Sequence, residues 1–140
     1  MQMHLAARAA LLLALVASCG GSRGGAPAGG AATGAGPGSA PELEILDRFQ
    51  GLATYVEQSG ASCPRLATSI ESWLEGNAGA VSALVERARA EPGLSETDLR
   101  RVEARLERVF DGLLGAVDRC RGHAEVDAAY GRFDAWIKAT

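Results

Sequence analysis

The chain has 140 residues, a formal charge of −3, 22% charged and 47% apolar residues, three cysteines and two histidines. A chain this short builds one core of ordinary size. An acidic balance with no basic stripe argues against nucleic acid as a partner.

The N-terminus carries Arg8, then the apolar run Leu11-Leu12-Leu13-Ala14-Leu15-Val16-Ala17. At under ten residues the run is too short to span a bilayer, which takes about 20. It reads instead as an export signal. Ser18 and Cys19 follow, then Gly20 and a Gly/Ala tract. The stretch Val16-Ala17-Ser18-Cys19 resembles the lipobox of bacterial lipoproteins: an aliphatic residue, two small residues, then cysteine. The resemblance implies cleavage before Cys19, acylation of Cys19 by two or three chains, and anchorage in a lipid bilayer. One acyl chain binds only marginally, at about 0.8 kcal/mol per buried methylene. Gly rather than Asp at position 20 is similar to lipoproteins sorted to the outer membrane, which implies a domain facing the periplasm. An ordinary secretory signal with Cys19 present by chance is the plainer alternative.

Residues 1–18 are thus expected to be a signal peptide and residues 19–41 a tether. From Gly20 to Pro41 the chain is almost wholly Gly, Ala, Ser, Pro and Thr, with Arg23 its one charge. With nothing large to bury, it cannot offset its ordering entropy. A flexible coil of this length reaches roughly 25 Å, and roughly 70 Å if drawn straight.

Residues 42–140 form the expected folded domain. All 17 acids and 12 of the 14 bases lie there, giving a formal charge of about −5. The apolar pattern is helical throughout, and nothing alternates with period two. The first helix begins near Pro41 or Glu42, with Glu42 and Glu44 placed to suit a helix N-terminus. Its stripe is Leu43, Leu46, Phe49, Ala53 and Val56, widened by Ile45 and Leu52, and it ends at Ser59-Gly60. The second starts at Ser62-Cys63-Pro64. It runs through Leu66, Ile70, Trp73, Asn77, Val81, Leu84, Val85 and Ala88 to Glu91-Pro92-Gly93. Gly76-Asn77-Ala78-Gly79 is a soft point, but the apolar phase crosses it unshifted, so one long helix is expected.

Ser95 is the expected N-cap of the third helix, with Asp98 three residues on and Leu94 and Leu99 as a hydrophobic staple. Glu96–Arg100 and Asp98–Arg101 are spaced to pair along it. Leu99, Val102, Leu106, Val109, Phe110, Leu113, Val117 and Cys120 carry its stripe. The phase slips at Arg121-Gly122-His123. A fourth helix then carries Val126, Tyr130, Phe133, Trp136 and Ile137 to about Lys138. The fold class expected is all-α: a small antiparallel bundle of about four helices with a long central helical hairpin.

Cys63 lies about 30 residues before the turn at Pro92-Gly93 and Cys120 about 27 after it. At 1.5 Å per residue both sit roughly 40 Å from the turn, facing each other. An even pair in an exported domain predicts a Cys63–Cys120 disulfide. The loop of about 58 residues is worth roughly 4 kcal/mol in the chain-entropy model. A redox pair usually shows C-x-x-C spacing, which is absent.

The sequence offers no catalytic, metal or cofactor set. His123 is the one histidine beyond the leader, and Cys120-Arg121-Gly122-His123 lacks the first cysteine of a haem-attachment motif. Zinc takes three or four ligands, more than His123 and a bridged pair supply. No P-loop, dinucleotide or nucleophile-elbow signature occurs. Glu103, Glu107 and Asp111 stand among Arg101, Arg105 and Arg108, as on a solvated charged face. Trp73, Phe110, Tyr130, Phe133 and Trp136 sit at core spacing. Asn77 is the polar residue on an apolar stripe, suited to fixing register or lining a pocket. The expectation is a non-enzymatic envelope lipoprotein without cofactors, acting through an envelope protein partner. The alternative is a binding module for a small apolar ligand or lipid, with Gly76, Gly79 and Gly112 leaving room between helices.

Overall fold

The computed structural model describes residues 40–91 and 93–140. The leader, Cys19 and the tether up to residue 39 lie outside the described residues, as does Pro92. Four helices follow in order: α1 (Pro41–Ser59), α2 (Cys63–Ala90), α3 (Glu96–Arg119) and α4 (Ala124–Ala139). There is no strand among the described residues. No described helix is long and apolar enough to cross a membrane.

The helix ends follow from local chemistry. Pro41 opens α1, where its missing N–H costs nothing. Gly60 closes it at φ +55°, a backbone that side chains avoid. The Ser62 hydroxyl accepts from the Arg65 N–H at the start of α2. The Ser95 hydroxyl accepts from the Asp98 N–H at 3.2 Å and donates to the Asp98 carboxylate at 3.0 Å. Both expected pairs on α3, Glu96–Arg100 and Asp98–Arg101, are formed. α2 runs unbroken through Gly76-Gly79.

The buried faces repeat the apolar stripes with shifts on two helices: on α4, Ala129 is fully buried while Tyr130 and Trp136 are only partly covered. On α1, Ile45, Phe49 and Leu52 are fully buried, while Leu43 and Ala53 are only partly covered. The centre of that stripe is therefore turned toward Ile45 and Leu52. A belt of rings fills the middle of the bundle. Phe49 lies 4.9 Å from Trp73 and 5.3 Å from Phe110, and Phe133 lies 5.9 Å from both Trp73 and Trp136. Such tilted pairs add to the area they bury.

Consecutive helices run in opposite directions, but the lateral neighbours are not those of a simple meander. α1 packs along both α2 and α3, and α2 along both α1 and α4. α2 and α3 approach closely at few points. They stand across the bundle from each other, joined at one end by the turn and at the other by the disulfide. α1 and α3 are thus parallel neighbours, as are α2 and α4. The α2–α4 ties Glu71–Arg132, Ser82–Trp136 and Arg89–Thr140 climb both helices in the same direction.

This arrangement sorts the molecule into two ends. At the first, Ala40, the α2–α3 turn and Thr140 come together. The buried Glu42 carboxylate accepts from the Gly93 N–H, and Arg89 donates to the Thr140 carbonyl. A Cβ on Gly93 would lie 2.8 Å from that of Ala40, so only glycine fits where α1 begins against the turn. At the other end, about 40 Å away along α2, lie Gly60, the Cys63–Cys120 bridge and the start of α4.

Candidate functional site

The disulfide end is the chemically distinctive one. Cys63 opens α2, Cys120 caps α3, and their Cα atoms are 5.6 Å apart in a formed bridge. The bridge therefore ties two helices that otherwise barely touch. His123, the N-cap of α4, lies just beyond it. Its backbone N–H donates to the Cys120 carbonyl, and its buried Nδ1 has no hydrogen-bond partner. No group of three or more His, Cys, Asp or Glu that could hold a metal occurs among the described residues.

Between α1 and α3, toward this end, runs an open groove of about 430 Å³. Ala53 and Val56 of α1 and Val109, Gly112 and Leu113 of α3 make its apolar floor; Glu57, Arg108 and Arg119 stand along it. The groove exists because two parallel neighbours offer small side chains at the contact. Ala53 gives one wall no bulk, and a Cβ on Gly112 would meet nothing within 4 Å. A shallower hollow of about 300 Å³ lies between the end of α1 and the start of α2, around Ser59, Arg65 and Thr68.

Asn77 lines neither hollow. Its amide nitrogen donates to the Trp73 carbonyl and its oxygen accepts from Arg48, both at 2.9 Å. The Trp73 indole N–H in turn donates to the Arg48 carbonyl at 2.9 Å. Two of these bonds tie α1 to α2 beside the ring belt and the third lies within α2, an arrangement suited to fixing register. Arg48 is the partner that sequence reasoning missed. It sits on the flank of the α1 stripe, one residue before Phe49, where nothing in the sequence separates an inward-reaching arginine from a solvated one.

The acids of α3 do not converge on a cleft. Glu103 is partly buried, and burial raises its pKa above the ordinary value; Arg100 opposes the rise and Glu107 adds to it. Neither Glu103 nor Glu107 lines either groove. A perturbed carboxyl outside a cleft is weak evidence of catalysis. Burial, with Asp134 and Asp118 adding charge, pushes the Tyr130 hydroxyl up to about 12. Gly76 and Gly79 face outward, with open space above each. The room they leave is on the surface and not between helices, while Gly112 opens onto the groove.

No family model, curated protein or solved structure matches the chain.

Proposed function

We propose that this chain is an envelope lipoprotein whose helical domain is a non-enzymatic protein-interaction module. The signal run ends at Cys19, whose acyl chains hold the protein on a bilayer, most simply the periplasmic face of the outer membrane. The tether then lets the bundle stand away from the lipid. The observation that carries this reading is the Cys63–Cys120 bridge. Bridges persist in oxidising compartments, and an exported domain behind a lipobox-like stretch would fold in one. The open apolar groove lies toward the end of the bundle opposite Ala40, the residue from which the tether leaves. On a flexible tether that end is free to face other envelope proteins.

Metabolic labelling with an alkyne fatty acid tests the anchor. The full-length protein is expected to take up label and sediment with membranes, while Cys19→Ser loses both properties. Equal labelling of the two chains, or none in either, would rule out acylation at Cys19. In-cell cross-linking of the full-length protein tests the module. A stoichiometric protein partner supports it; a retained lipid or small apolar molecule, with no partner, would favour a ligand-binding module instead.

A further inference from the structure

The geometry points to a specific occupant for the α1–α3 groove: an amphipathic helix of a partner protein, with carboxylates along its flank. This rests on the interaction-module reading and names the partner's chemistry.

Seven arginines of the domain already hold a carboxylate, an amide or a carbonyl. Among the described residues the side chains of Arg65, Arg105, Arg108 and Arg119 have neither an ion pair nor a hydrogen bond, and of these Arg108 and Arg119 line the groove. Glu57 is the one acid on that lining. In a domain with an acidic surplus, two unengaged guanidinium groups beside an apolar floor form a local reversal of sign. They stand eleven residues apart on α3, three turns or about 16 Å along the axis. That spacing suits two carboxylates on one side of a docked helix, and guanidinium suits carboxylate in geometry as well as charge.

Shape favours a helix over a lipid tail. The groove is open along one side. Small-molecule sites enclose about 70–90% of their ligand, whereas a helix with apolar residues at i, i+3, i+4 and i+7 buries one face and leaves the other in water. Such a set spans about 10 Å, which lies within the roughly 16 Å of groove between Arg108 and Arg119. Gly112 supplies the close approach, since nothing stands above it.

The test places a photo-crosslinking residue at Glu57, on the rim, in the full-length protein in cells. The same residue at Gly76, on the outer face of α2, is the control. Cross-linked peptides are read by mass spectrometry. The expected result is capture from position 57 of one protein, at a segment with the i, i+3, i+4, i+7 pattern and flanking acids. That segment, made as a peptide, should shift the NMR signals of Val56 and Leu113 in the oxidised protein. Arg108→Glu with Arg119→Glu should weaken it at least tenfold. Gly112→Leu should abolish binding without lowering Tm, because the side chain enters open space. Capture of lipid, of a second copy, or of a segment without that pattern overturns the proposal. Capture from position 76 with position 57 silent overturns the groove but leaves the interaction module standing. Silence at both overturns both.

Discussion

Replacing Asn77 by leucine would remove the acceptor of the Arg48 guanidinium and the donor to the Trp73 carbonyl. Both groups are partly buried, so the loss should be about 0.5–1.5 kcal/mol per bond. A double-mutant cycle with Arg48→Met should show a coupling of at least about 0.5 kcal/mol in denaturant unfolding. Additive losses would show that the tie carries no joint energy. The sequence marked Asn77, because a polar residue interrupts a clean stripe there. It did not mark Arg48, since a flanking arginine looks the same whether it reaches inward or into water. It also left Glu42 as a favourable first-turn acid, although the side chain is 0% exposed and its Oε2 has no partner. Periodicity describes a helix face; it says nothing about what a neighbouring turn brings over the helix end.

The helices themselves were legible nearly to the residue, because Pro41, Ser62, Ser95 and Gly60 are specific end signals and the stripes are long. The neighbour relations were not. A stripe states which side chains are buried, but not against which helix, so the parallel packing of α1 with α3 had no sequence signature. The groove was illegible for the same reason: Ala53 and Gly112 are unremarkable until those two helices meet. The bridge was readable because both cysteines fall at one distance from one turn. Its weight follows from the sparse α2–α3 contact. Cys63→Ser with Cys120→Ser should lower stability by about 4 kcal/mol, with a larger denaturant m value as the unfolded chain expands. An unchanged midpoint would show that α1 and α4 alone hold the two helices in place.

At the scale of the molecule, the first and last described residues leave from the same end, and the bridge closes the other. That geometry has a mechanical consequence. A load applied between Ala40 and Thr140 pulls α1 and α4 away at their adjoining ends, while the 57-residue separation between the cysteines is locked. At roughly 3.4 Å per residue, the lock withholds about 190 Å of contour length. In a single-molecule pulling experiment the oxidised domain should therefore lengthen by about 190 Å less than the reduced one. Equal extensions would show that the bridge does not bear force. For a chain held to a membrane at one end and gripped by a partner, the disulfide acts as a stop: it caps how far the domain can lengthen under the pull.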